Sequence, residues 1–214
     1  AEQLSKLADI YVNDAFGTAH RAEATTFGLP LKVREACAGF LMTAELNGLK
    51  KIYENPIKPL VAIIGGSKIS TKLELLSSLL KKVDFLIVGG GIANTFIKAQ
   101  GFEIGKSIVE NDLIQVATDL INLSVRGSGK ICIPIDVIVA ESPNKGISQR
   151  QVNVSDISKN EMILDVGSKS SKIFEDLIMQ AKTIIWNGPV GLFEINAFSS
   201  GTSSLARAVA SSKG

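Results

Sequence analysis

The sequence predicts an α/β fold in which a doubly wound, mostly parallel sheet carries helices on both faces. Three observations carry that prediction. Short apolar, β-branched runs alternate with segments of helical periodicity along most of the 214 residues. Glycine clusters fall where predicted strands end, as turns into crossover helices require. Hydrophobic residues make up 45% and charged residues 21%, which excludes disorder and demands a sizeable core.

The elements follow in chain order. Ala8–Val12 reads as a short strand running into the loop Asn13–Thr26. Leu31–Glu54 reads as one long helix, with Val33, Ala36, Cys37, Phe40, Leu41 and Ala44 recurring at three- and four-residue steps to form a buried stripe. Asn55-Pro56 and Pro59 end it, because proline disfavours helical geometry in the residue before it, and this punctuation predicts a domain boundary with residues 1–55 before it and 56–214 after. Beyond it come a strand at Leu60–Ile64, a tight turn at Gly65–Ser67 and a helix at Ser70–Lys82. A strand at Asp84–Val88 and a helix at Ile92–Gln100 repeat the unit. A helix near Glu110–Leu123 precedes a strand at Lys130–Pro134, with extended chain at Val137–Ala140. Glu141–Asn160 is polar with little periodicity and reads as a surface excursion. Met162–Val166 and Thr183–Trp186 are strands around a helix at Ser170–Ala181, and a last helix covers Ala197–Ser211.

Composition narrows the partners. Twenty-three Lys and Arg against 21 Asp and Glu leave a net charge of +2, too balanced a field to predict a nucleic-acid partner. Aromatic residues at 6% leave few platforms for stacked bases. Leu60–Ile64 and Phe85–Val88 are too short to cross a bilayer, and no basic-then-apolar leader opens the chain, so neither a membrane nor secretion is expected. Cys37 and Cys132 show no metal-binding or CxxC spacing, which fits free thiols in a reducing cytoplasm.

Three glycine clusters, Gly65-Gly66, Gly89-Gly90-Gly91 and Gly188 with Gly191, fall at the carboxyl ends of predicted strands, where open α/β sheets bind ligands. One such cluster is explained by a tight turn; three on one rim point to a nucleotide-sized ligand. Two familiar phosphate motifs fail. Gly101–Ser107 resembles a P-loop but has three residues between its glycines where that motif has four, and it follows a helix. Gly89–Asn94 follows a strand, yet Asn94 occupies a dinucleotide-fingerprint glycine position. Gly65-Gly66-Ser67-Lys68-Ile69-Ser70-Thr71-Lys72 is more informative: Lys68 and Lys72 stand four apart at a helix start, presenting two ammonium groups beside backbone donors. Phosphoryl transfer needs cations around developing negative charge. Two solvated lysines on a helical face are the alternative, and spacing does not decide between them. His20 and Arg21 follow the first strand, and the guanidinium fork matches a carboxylate or phosphate. Asp136 and Asp165 close strands, where capping competes with a magnesium or ribose role, Trp186 reads as core, and the role of Glu194 stays open.

Taken together, the motifs resemble the phosphoglycerate kinase family. Asp14-Ala15-Phe16-Gly17-Thr18-Ala19-His20-Arg21-Ala22 is similar to a signature loop of that family, and Gly65–Lys72 to its nucleotide-phosphate loop. Val88-Gly89-Gly90-Gly91-Ile92-Ala93-Asn94-Thr95-Phe96 and Trp186-Asn187-Gly188-Pro189-Val190-Gly191-Leu192-Phe193-Glu194 are similar to two more, in family order. The resemblance implies two doubly wound lobes. Residues 1–55 would then be the end of the substrate lobe plus the interdomain helix, and 56–214 a nucleotide-binding lobe incomplete at its carboxyl end. It implies reversible transfer of the acyl phosphate of 1,3-bisphosphoglycerate to magnesium-ADP, giving ATP and 3-phosphoglycerate in glycolysis, by a monomeric enzyme. By motif match, Arg21 and His20 would bind phosphoglycerate, and Lys72 and Lys68 would act in transfer and on the nucleotide phosphates. Gly65, Gly66, Gly89 and Gly90 would form the nucleotide pocket, with Asn187 near the phosphates and Glu194 on the ribose. Family members are longer, and the resemblance implies that most of the basic phosphoglycerate site, the sheet partners of the Ala8–Val12 strand and the magnesium ligand lie outside these residues. A nucleotide-binding module or partner-binding piece without catalysis is the alternative reading.

Overall fold

The computed structural model describes residues 1–127, 129–144 and 146–214. It divides into two compact units, Ala1–Pro56 and Ile57–Gly214.

In the first unit, strand β1 (Ile10–Asn13) pairs in parallel with β2 (Glu35–Ala38), register Ile10 to Glu35, and helix α1 covers Phe40–Glu54. The single helix expected over Leu31–Glu54 is therefore corrected. Residues 31–34 are turn and Glu35–Ala38 is a strand, although Glu35, Ala36 and Ala38 are helix-favouring residues, because pairing with β1 overrides propensity. The break falls at Gly39, an extended residue (φ −77°, ψ −178°) that caps α1 without a side chain of its own. Asp14 supplies the missing acceptor: its Oδ1 takes the N–H of Met42 at 2.9 Å. A glycine inside an apparent helix was the available signal. The expected buried stripe is corrected as well. Ala36, Cys37, Leu41 and Ala44 are exposed and Phe40 is 94% exposed; the six positions fall in a turn, a strand and, after the break at Gly39, a helix, so they share no single helical face. The strand at β1 does have a partner, in β2.

In the second unit, strand β3 (Leu60–Ile64) leads through a short turn to helix α2 (Leu73–Leu80). Strand β4 (Phe85–Val88) leads to α3 (Gly90–Ala99). Helix α4 (Ile114–Arg126) and strand β5 (Lys130–Cys132) follow. Then come β6 (Asp136–Ala140), β7 (Arg150–Asn153), β8 (Met162–Val166), α5 (Ser168–Gln180), β9 (Thr183–Asn187) and α6 (Ser200–Ser211). The main sheet has order β5-β4-β3-β9 and every pair in it is parallel. Alternation along β3 sets its two faces. Leu60, Ala62 and Ile64 pack with α2, α3 and α4 through Leu76, Phe96 and Leu120, while Val61 and Ile63 pack with α5 and α6 through Phe174, Ile178 and Leu205. Burial on both faces explains why β3 is apolar throughout.

A second sheet, order β7-β6-β8, is antiparallel, with a bulge between Ile138 and Val139. This corrects the surface excursion expected over Glu141–Asn160. Arg150–Asn153 shows one buried side chain, Val152, in four, so its sequence carries little apolar signal; pairing with β6 makes it a strand. Val137, Val139, Val152, Val154 and Ile157 form a third cluster there with Ile97 of α3.

Candidate functional site

The chain builds outward from β3 in two directions: β4 and β5 lie on one side of it and β9 on the other. A crevice opens where that order reverses, outside the carboxyl ends of β3 and β9, and there the three glycine clusters meet. Gly65 N–H donates to Asn187 O at 2.9 Å, Gly90 N–H to Val190 O at 3.0 Å and Ile92 N–H to Gly66 O at 3.1 Å. The loops touch backbone to backbone: a Cβ on Gly65 would lie 1.8 Å from the Pro189 carbonyl oxygen. Gly90 has φ +62°, and a Cβ there would meet Gly66 O at 2.8 Å.

Lys72 ends the turn Ser70–Lys72 and folds back over this junction. Its Nζ donates to Gly65 O at 2.6 Å, to Asn187 O at 3.4 Å and to Asn187 Oδ1. Burial pushes the Lys72 ammonium below its ordinary pKa. Lys68 behaves otherwise. It precedes the first helical turn and is exposed, so the two lysines do not share a helical face as their spacing suggested; the turn starts only at Ser70. Glu110 organises that start, accepting the Ser70 N–H at 3.0 Å and its hydroxyl at 2.5 Å. Burial raises the Glu110 carboxyl, but the bonds from Ser70 and the charge of Lys68 bring it below its ordinary value.

Beside the junction lies a cavity of about 460 Å³, of the size that takes a small ligand. Gly66, Gly90 and Gly191 give it backbone walls, Ile108, Met162, Leu164, Val190 and Leu192 give it apolar ones, and Glu194 and Asn94 also line it. Gly65 and Gly89 are buried in the loop contacts behind these walls, and Lys68, Lys72 and Asn187 stand outside the cavity lining. The structure thus brings Gly66, Gly90 and Glu194 onto one cavity and Lys72 with Asn187 onto the adjoining junction. Sequence reasoning missed Met162 and Leu164, which β8 presents from the antiparallel sheet, and Ile108. It also passed over Asn94 as a ligand contact, although a lone amide within the apolar run Ile92–Ile97 was a signal.

The two buried aspartates are caps. Asp136 accepts the Lys169 and Ser170 N–H groups at 3.1 and 2.7 Å, closing the start of α5, whose cap residue is Gly167. Asp165 accepts Val166 N–H at 2.9 Å and Gly201 N–H at 2.8 Å, which caps α6. Burial outweighs these bonds and pushes Asp165 up to about 6. Ser107, in the loop resembling a P-loop, bonds Ile104 O and Ile163 N–H and ties that loop to β8.

A family model described as phosphoglycerate kinase matches residues 1–214, the whole sequence. The chain belongs to the phosphoglycerate kinase family. It is 50% identical over 212 residues to the phosphoglycerate kinase of Coxiella burnetii and 48% identical over 212 residues to that of Francisella tularensis, covering 99% of this chain and 54% of each relative. Among solved structures, that of phosphoglycerate kinase from Coxiella burnetii superposes with a TM-score of 0.92 at 49% identity, over 99% of this chain and 54% of that one. The Pyrococcus horikoshii phosphoglycerate kinase gives 0.81 at 27% identity, over 98% and 53%. The chain spans about half the length of the phosphoglycerate kinases it matches.

The family's signature loop with His20 and Arg21 lies in the Ala1–Pro56 unit. Both side chains are exposed; Arg21 pairs with Glu23 at 3.7 Å, and its carbonyl accepts the Thr26 hydroxyl at 2.5 Å.

Proposed function

We propose that the protein catalyses reversible phosphoryl transfer between 1,3-bisphosphoglycerate and magnesium-ADP, giving ATP and 3-phosphoglycerate in glycolysis. In this reading Ile57–Gly214 binds the nucleotide and Ala1–Pro56 contributes to the phosphoglycerate site. The observation that carries it is the placement of Lys72, a partly desolvated ammonium fixed at the reversal of strand order beside a nucleotide-sized cavity.

Phosphoryl transfer asks the protein for position and electrostatics more than for covalent chemistry. The acceptors on Lys72 Nζ, Gly65 O and Asn187, aim a cation without neutralising it, so it meets charge gathering on the transferring group with little reorganisation. Lys68, exposed, joins as a second cation on the outer phosphates. Gly66 and Gly90, with Gly65 and Gly89 behind them, let the nucleotide approach the backbone closely, and Glu194 accepts from the ribose hydroxyls. Arg21 and His20 bind the phosphoglycerate.

Among the described residues, no group of three or more His, Cys, Asp or Glu stands close enough together to hold a metal ion. Asp165 commits both oxygens to backbone N–H groups, and Glu194 alone is one carboxylate. These residues supply no magnesium ligand set of their own; magnesium enters as its complex with the nucleotide, and the ligand that the family resemblance implies is not among them. No helix among the described residues is long and apolar enough to cross a membrane. A cytoplasmic monomer with small-molecule partners, neither nucleic acid nor membrane, completes the reading.

The test is ATP formation by the full-length protein supplied with magnesium-ADP and 1,3-bisphosphoglycerate. Turnover requiring both substrates is expected. Saturable ADP binding without turnover would replace this reading with that of a nucleotide-binding module.

A further inference from the structure

The place of Lys72 depends on the short turn that carries it. Ser70–Lys72 is a single turn, closed by the Lys72 N–H on Ile69 O at 2.9 Å, and the residue before it gives no side-chain cap. Helix α2 follows directly; its own cap position is Lys72, again without a side-chain bond. The first N–H groups of such a start need acceptors from elsewhere. On one side Ile69, fully buried, seats the segment in the cluster that contains Leu76, Ile92 and Phe96. On the other, Glu110 takes Ser70 with both carboxylate oxygens from 40 residues away: Oε2 accepts the N–H at 3.0 Å and Oε1 the hydroxyl at 2.5 Å. Glu110 is itself anchored. Its carbonyl accepts the Leu113 N–H at 3.0 Å, and the turn Asn111–Leu113 runs into α4, whose Ala117 and Leu120 belong to the same cluster.

Only Thr71 separates Ser70 from Lys72, so a tilt of the turn carries the whole lysine with it. The bonds to Gly65 O and Asn187 hold the tip of a flexible four-carbon chain, whereas the turn sets where that chain starts. Transfer chemistry is sensitive at this scale: a misplacement of about 1 Å from a change far from the reacting atoms costs on the order of 10²-fold in rate. We propose that Glu110 is a positioning residue for Lys72, clamping the Ser70 end of the turn and so setting where the ammonium meets the transferring group. Glu110 stands outside the cavity lining, so its effect falls on the rate and not on nucleotide affinity. The charge of Lys68 also bears on this carboxylate, and a test must separate charge from geometry. The proposal rests on the phosphoryl-transfer reading above and adds to it the residue that aims the cation.

The experiment measures steady-state ATP formation and titrates magnesium-ADP calorimetrically, using the full-length protein. The variants are Glu110→Ala, Glu110→Gln, Lys72→Ala and the double variant of Lys72→Ala with Glu110→Ala. Removing both bonds in Glu110→Ala should lower kcat about tenfold, with the Kd for ADP within about twofold of wild type and the number of ADP sites per chain unchanged. Glu110→Gln loses the charge but keeps an oxygen for the Ser70 N–H and offers its amide N–H to the hydroxyl, so kcat should return to within about threefold of wild type. Because Glu110 acts through Lys72, adding Glu110→Ala to Lys72→Ala should lower kcat no further. Unchanged kcat in Glu110→Ala overturns the proposal. A Gln variant as slow as the Ala variant also overturns it, by assigning the effect to charge. Loss of ADP sites in step with rate does the same, by making Glu110 a folding residue only, as do effects that multiply in the double variant. A wild type that forms no ATP would instead overturn the phosphoryl-transfer reading itself.

Discussion

Lys72 shows how a residue's environment decides what its charge can do. An exposed lysine outside any helix is a hydrated point charge, and that is how Lys68 stands. Lys72 is drawn out of water onto the Gly65 carbonyl and Asn187, and desolvation lowers its pKa because burial disfavours the charged form. A cation held in that way adds most where negative charge grows during the reaction. Lys72→Ala in the full-length protein should therefore lower kcat by a factor of about 10² to 10³, roughly 3–4 kcal/mol by analogy with removing one oxyanion donor, while the Kd for ADP changes far less. Steady-state kinetics with a parallel binding titration separates the two. Unchanged turnover would remove Lys72 from the transfer step, and a loss confined to ADP affinity would make it a binding group.

Among the elements, a common device recurs at helix starts. Helices α1 and α5 begin at a glycine that lacks a capping side chain, and carboxylates from elsewhere in the chain, Asp14 and Asp136, supply it. Asp165 does the same for α6 and borders the cavity too. Its pKa of about 6 lies above the ordinary aspartate value, so the folded state holds a proton that the unfolded chain releases. The stability this contributes is present in full below about pH 4 and is lost as the pH rises through about 6, on the order of 2–3 kcal/mol. Asp165→Asn keeps an acceptor for Gly201 and removes the titration. Between pH 4.5 and 7.5 the unfolding free energy of that variant should gain on the wild type by about that amount, followed by urea denaturation. A difference between the two proteins that stays constant with pH would contradict the assignment.

For the molecule as a whole, the sequence was most readable where both faces of a strand are covered. Leu60–Ile64 announces a buried strand because each of its side chains meets a helix or strand, and the glycines beyond it announce a rim. Legibility failed where one pairing partner outweighed local preference. Glu35–Ala38 is a strand only because β1 lies beside it, and Arg150–Asn153 only because β6 does. The site divides in the same way. Glycines, lysines and Glu194 stand in contiguous motifs, so their order could be read, whereas Ile108, Met162 and Leu164 join the cavity by tertiary folding from segments whose apolar character is no different from core. The lysine pair misled because its four-residue spacing implies a common face only inside a helix, and Lys68 is outside it.

The most direct test of the central claim, that the crevice at the reversal of strand order is the nucleotide site, is hydrogen exchange of the full-length protein with and without saturating magnesium-ADP. Slower exchange is predicted at the backbone of Gly66–Ser67, Gly90–Gly91 and Val190–Glu194, the three segments that converge on the cavity. Exchange in all three unchanged by the nucleotide, with protection appearing elsewhere or nowhere, would contradict the account.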